Sequence, residues 1–145
     1  MPFSFLLSLL LSLHTFQPSP VTAIRYPQEE ITPQISRLTE HAGNEYTVTV
    51  TIKSDGIRGF VKYTDSIPPG AKATALELAD GVFKSEGAAK FIWVSFPSSP
   101  VVVIRYKVVF DSFPVTNYKG TLRYVSNNIV REIVLAKKDI SFVER

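Results

Sequence analysis

The sequence predicts an all-β fold: an antiparallel immunoglobulin-like β-sandwich of about seven strands. Three observations carry that expectation. Short runs rich in Val, Ile, Thr, Tyr and Phe recur at roughly 8–12-residue spacing. Gly, Pro, Asn and Asp punctuate them at turn positions. No stretch after the first residues keeps the 3–4-residue apolar period of an amphipathic helix.

Taken in order, the segment from Arg25 to Glu40 has no clean period and contains Pro27 and Pro33, which reads as an extended lead-in with at most one short edge strand. Tyr46 to Ile52 alternates throughout, with Tyr46, Val48, Val50 and Ile52 on one face and threonines on the other. That is a strand with one buried and one wet side. Ser54-Asp55-Gly56 is turn chemistry, and Ile57 to Tyr63 reads as the next strand, with Gly59 marking a bulge or close backbone approach. Ser66 to Gly70 is a loop. Ala73 to Leu78 fits a strand or one helical turn, Asp80-Gly81 is a turn, and Val82-Phe83 lead into the turn Ser85-Glu86-Gly87. Phe91–Phe96 and Val101–Phe110 flank Pro97-Ser98-Ser99-Pro100, a connection that favours a hairpin between them. Val102, Ile104, Tyr106, Val108 and Phe110 share one face there, with Arg105 and Lys107 on the other. Residues 111–118 form a loop. Gly120–Val125 and Ile129–Leu135 flank Ser126-Asn127-Asn128, the chemistry of a tight hairpin turn. The tail from Lys137 to Arg145 alternates enough for one last short strand.

The first residues stand apart from this pattern. Phe3 to Leu13 is an apolar run with the length of a signal-peptide core, too short to span a bilayer. Pro18 and Pro20 end it, and Val21-Thr22-Ala23 offers small residues for cleavage after Ala23. No Lys or Arg precedes the run. The expected organisation is a signal peptide over 1–23 and one β-sandwich domain over 24–145, exported to the periplasm or cell surface. No stable membrane span is expected after signal removal. A domain of this size builds a core by packing alone, as it must, because the chain has no cysteine.

The net charge of +3 hides an asymmetry. Residues 24–83 carry six Lys/Arg against eight Asp/Glu, whereas residues 84–145 carry ten against five. The basic residues of the second half stand singly between apolar ones, the habit of a solvated strand face. A nucleic-acid surface would call for a clustered stripe, so no nucleic-acid partner is expected.

Chemistry-bearing motifs are scarce. His41, in His-Ala-Gly-Asn, is the only histidine after the expected cleavage at Ala23. Without thiols or a second histidine the common catalytic zinc arrangements are disfavoured. There is no Gly-x-Ser-x-Gly elbow, no Ser-x-x-Lys and no phosphate loop. Glu29-Glu30 is an adjacent carboxylate pair, but strand neighbours point to opposite faces. The expectation is a non-catalytic module without a cofactor or metal. A carboxylate-based hydrolase is the weakest alternative. An internal Lys–Asn cross-link could draw on Lys53 or Lys62 with Asn127 or Asn128, and Asp65 or Glu132 as the acid. Trp93, the only tryptophan, sits with Phe91 in a strand apolar on both faces. Phe91 and Trp93 are therefore either core aromatics or an exposed contact pair for a partner.

"GFVKYTDSIPPG", the Gly-Val-Phe step, "KFIWVSFPSSPVVVIRYKVVF" and "GTLRYVSNN" together resemble a domain type of Bacteroidota cell-envelope and surface proteins. The layout is similar to β-sandwich modules of the conserved-repeat and fimbrial kind, over roughly residues 45–135. The resemblance implies an envelope location and a structural or adhesive role, and carries over no catalytic residue. The expected function is protein interaction with another envelope protein, through a sheet face or by strand addition at an open edge. The alternative is a carbohydrate-binding module, which would need a row of exposed aromatics. Tyr63, Trp93, Tyr106, Tyr118 and Tyr124 are the candidates.

Overall fold

A computed structural model describes residues 23–24, 29–54, 56–110 and 119–145. The expected signal segment, apart from its last residue, and the loop expected over 111–118 lie outside the described residues. Ten strands form two five-stranded sheets packed face to face. Sheet A runs β10 (Ile140–Glu144), β1 (Gln34–Ala42), β2 (Glu45–Lys53), β7 (Val101–Val109), β4 (Lys72–Glu77). Sheet B runs β5 (Val82–Lys84), β6 (Ala88–Trp93), β3 (Val61–Ser66), β8 (Gly120–Ser126), β9 (Ile129–Val134). Every pairing is antiparallel except β1 with β10, which is parallel. The all-β sandwich is as expected. Among the described residues, no helix is long and apolar enough to cross a membrane.

The core follows from the period-2 alternation of the strands. Tyr46, Val48, Val50 and Ile52 of β2 are buried, as are Val102, Ile104, Tyr106 and Val108 of β7, and the two strands pair in register from Glu45↔Val109 to Lys53↔Val101. Sheet B meets them with Val61 and Tyr63 of β3, Phe91 and Trp93 of β6, and Leu122 and Tyr124 of β8. Rings bridge the layers: Phe91 lies 5.9 Å from Tyr106, and Trp93 meets Phe96 edge-on at 5.2 Å.

Two expectations are corrected. The lead-in holds a full strand, β1, set inside sheet A between β10 and β2 rather than at an edge. Its alternation was hidden because two of its inward positions, Arg37 and Thr39, are polar and still buried. The apolar runs around Pro97-Ser98-Ser99-Pro100 are not a hairpin. β6 pairs with β3 and β5, and β7 pairs with β2 and β4, so the connection crosses from one sheet to the other. It is clamped to the β2–β3 connection, which makes the reverse crossing. The Phe96 N–H donates to Gly59 O at 2.9 Å, and the Ser54 N–H to Pro100 O at 3.0 Å. The β8–β9 hairpin forms as expected, with Asn127 and Asn128 at φ of 52° and 61°. Ala73–Leu78 resolves as strand β4, and the tail contributes β10.

The corner from β4 to β5 is built around Trp93. Ala79 and Asp80 take positive φ, and the Gly81 N–H closes the turn on Leu78 O at 2.9 Å. The Trp93 indole N–H donates to Ala79 O at 2.8 Å, and a Cβ on Gly81 would lie 2.7 Å from that nitrogen. Only glycine fits beneath the ring.

Candidate functional site

A concentrated set of ionisable groups sits inside the sandwich. One oxygen of Asp65, Oδ2, accepts from Arg37 Nε at 2.7 Å, from the Tyr63 hydroxyl at 3.0 Å and from the Tyr106 hydroxyl at 2.5 Å. Arg37 Nη1 donates to Thr39 Oγ1 at 2.8 Å. The alternation of β1, β3 and β7 aims all of these side chains at the interlayer space. Burial pushes both tyrosine hydroxyls well above their ordinary pKa, and the Asp65 charge adds to the shift. For Arg37, burial alone would lower the pKa; the Asp65 charge and the neighbouring tyrosines reverse that, and the net direction is upward. Asp65, Tyr63 and Tyr106 are fully buried, and Gly120 closes over the Tyr63 hydroxyl so tightly that a Cβ there would lie 2.6 Å away. General acid–base groups must reach a substrate. These are engaged inside the core, and they tie β1 and β7 of one sheet to β3 of the other.

The other titratable candidates are locally engaged. His41 stacks on Tyr46 at 4.5 Å and contacts Gly43 O at 2.5 Å. Glu30 pairs with Arg131 at 3.1 Å. Of the groups considered for an internal cross-link, Lys62 and Glu132 share one groove, but the others lie elsewhere. Asp65 is inside, held by Arg37; Lys62 is on the outer face of β3; Asn127 and Asn128 are exposed at the β8–β9 turn; Glu132 pairs with Arg123. Lys53 lines a separate cleft of about 450 Å³ beside Ser36, Lys138 and Asp139.

Phe91 and Trp93, considered as a contact pair, are buried in the core, Phe91 completely and Trp93 nearly so. Their even spacing puts both on the inward face of β6, so neither is available to a partner. The same correction applies to the aromatics considered for sugar stacking. Tyr63, Trp93, Tyr106 and Tyr124 are all buried, and Tyr118 lies outside the described residues.

The two outer faces differ in kind. Sheet A turns outward a ladder of Thr47, Thr49 and Thr51 among charges of both signs: Lys107 pairs with Glu45 at 3.2 Å, and Arg145 pairs with Glu40. Sheet B is sorted into rows. Pairing places Ile92, Lys62, Arg123 and Glu132 side by side, and next to them Lys84, Lys90, Thr64, Thr121 and Val134. Two residues along the other way, Val125 pairs with Val130, with Phe60 just before β3 and Val94 just after β6. Val94 is 85% exposed, Val130 63% and Phe60 43%. An exposed apolar set thus borders a basic field. Sequence reading gave these lysines to a solvated face, because the adjacency of β3, β6 and β8 is a tertiary fact that no local spacing records.

No family model matches the chain, and no curated protein matches it. Among solved structures, it is similar to the chitin-binding domain of a chitinase from Pyrococcus furiosus. The TM-score is 0.51 at 19% identity, covering 70% of this chain and 100% of that one. A non-cellulosomal cohesin from the hyperthermophilic archaeon Archaeoglobus fulgidus matches with a TM-score of 0.38 at 12% identity, covering 76% of this chain and 86% of that one. At 19% identity the likeness to the first of these shows a shared β-sandwich fold.

Proposed function

We propose that this chain is a non-catalytic protein-interaction domain of the cell envelope that docks its partner on the outer face of sheet B. The observation that carries the reading is the exposed apolar set of Val94, Phe60 and Val130 beside lysines that make no ion pair among the described residues. Scattered exposed apolar residues are ordinary, but a set grouped at one end of a sheet is the habit of a contact surface. Export through the Phe3–Leu13 segment, with cleavage after Ala23, belongs to the same proposal. The solved neighbour's printed name, a chitin-binding domain, keeps a carbohydrate ligand in view. Burial of four of the five candidate aromatics argues against it here, because sugar faces stack on exposed rings.

Mild cross-linking and capture of the tagged protein from its native envelope tests this reading. The wild type is expected to recover one partner in near-equal amount, and a Val94→Asp/Val130→Asp variant to lose it while keeping its melting temperature. Both side chains already face water, so the substitutions leave the core intact. Equal capture by the variant, or recovery of the protein alone, would overturn the reading. Sedimentation with insoluble chitin is expected to leave the protein in the supernatant.

A further inference from the structure

On the same face, a groove of about 300 Å³ crosses β3 and β8, lined by Lys62, Thr64, Ser66, Lys119, Thr121 and Arg123, with Glu132 at its rim. We infer that this groove is the ionic half of the docking surface and takes an extended, carboxylate-rich segment of the partner protein. The inference rests on the reading that this face docks a protein, and it supplies the partner's chemistry.

The register defines the recognition grid. Lys62 stands opposite Arg123 and Thr64 opposite Thr121. Continuing that pairing brings Ser66 beside Lys119. Side chains two residues apart on one face repeat every ~6.8 Å and neighbouring strands lie ~4.8 Å apart. The floor is therefore two columns of three, with Lys62 and Arg123 at one end, hydroxyls in the middle, and Lys119 at the other end about 13 Å away. An extended peptide laid along this floor presents same-side carboxylates at the same repeat. Residues i and i+4 reach the two cationic ends, and residue i+2 meets the hydroxyls of Thr64 and Thr121. Lys90, opposite Thr64 on β6, flanks the middle from the far side.

The charge balance singles out this face. Its strands carry Lys62, Lys84, Lys90 and Arg123, with Lys119 just before β8, against the single carboxylate of Glu132. Glu132 accepts from Arg123 at 2.8 and 3.2 Å, and among the described residues the four lysines make no ion pair. The exposed apolar side chains alongside favour a protein over other polyanions. A nucleic-acid or sulfated-glycan backbone offers nothing to Val94 and Val130, whereas an acidic segment with aliphatic neighbours fits both halves.

The test is an isotope-labelled NMR titration of the protein with a short oligoglutamate, run in parallel with inorganic phosphate, duplex DNA and a sulfated oligosaccharide. Oligoglutamate is expected to shift the amides of Lys62, Thr64, Thr121 and Arg123, with affinity falling steeply between ~50 and ~300 mM salt. A Lys62→Glu/Lys119→Glu variant should bind about ten-fold more weakly or not at all, with an unchanged fold by chemical shift. The inference is overturned if oligoglutamate leaves those amides unmoved, if the variant binds equally, if phosphate alone reproduces the shifts, or if DNA or the sulfated oligosaccharide binds tighter. The two readings fail separately. Absent oligoglutamate binding with partner capture still dependent on Val94 and Val130 removes only this inference. Oligoglutamate binding with capture indifferent to those valines removes only the docking face proposed above.

Discussion

Arg37 and Asp65 place opposite charges between two layers of aliphatic and aromatic side chains, where neither ion would persist alone. The arrangement holds because Asp65 Oδ2 gathers three donors and Arg37 also donates to Thr39. Buried pairs of this kind add little net stability over a well-packed apolar core, yet breaking one is costly, because the surviving charge is stranded. Asp65→Asn, which keeps an acceptor for the tyrosines but removes the carboxylate charge beside Arg37, is expected to lose about 3–5 kcal/mol of unfolding free energy. Adding Arg37→Met to it should recover part of that loss, so that the double variant is more stable than Asp65→Asn alone. Urea unfolding of the wild type, both singles and the double measures the coupling. A double variant no better than the additive sum would mean that the pair does not act as a unit. This cluster was not legible in the sequence. A rule that sends charges outward cannot place Arg37 inside, and its partner lies 28 residues away on the opposite sheet.

Where β-strands carry perfect alternation, the sequence was sufficient: β2 and β7 have the inward faces that their period required. The failure over 90–110 has a definite cause. Length and proline content told that a turn lay between the two runs, but not that the turn changed sheets. That information resides in the Phe96–Gly59 and Ser54–Pro100 hydrogen bonds, both long-range. The proposed docking face was hidden for the same reason, since Lys62, Lys90 and Arg123 become neighbours only once β3, β6 and β8 pair. The β8–β9 hairpin was legible because its signal is local. Its two asparagines occupy left-handed backbone, where a β-branched side chain is strained by about 1–2 kcal/mol. Asn128→Val is therefore expected to lower stability by about that amount, and Asn128→Gly, which removes the strain, to leave it equal or slightly higher. Thermal unfolding ranks the three proteins; a valine variant as stable as the glycine variant would contradict the turn assignment.

At the scale of the whole molecule, the buried carboxylate of Asp65 on sheet B is held by two tyrosine protons, one from Tyr106 across the layers and one from Tyr63 on its own strand. The Tyr106 hydroxyl reaches from sheet A and the Tyr63 hydroxyl from sheet B to one carboxylate oxygen, and each must remain protonated to donate. Burial, then the Asp65 charge, raises both pKa values above the ordinary tyrosine value near 10. The sign follows from linkage. Below pH ~10 both the folded and unfolded chains hold these protons, and the stabilisation is fully present. Above it the unfolded chain releases them and the folded chain does not, so stability falls by about 1.4 kcal/mol per pH unit for each tyrosine. With both tyrosines contributing, and a typical domain stability of about 5–15 kcal/mol, the fold is expected to give way within a few pH units above 10. Tyrosinate absorbance from this pair should then appear in one cooperative step, together with loss of the β circular dichroism signal. Tyr106→Phe removes one of the two titrating protons and should halve the slope of stability against pH in that window, although its stability at neutral pH is lower for want of one hydrogen bond. A gradual rise of all tyrosinate absorbance near pH 10 with the β signal intact would show that the cluster is open to solvent, and the two sheets would then owe their contact to the aliphatic layers alone.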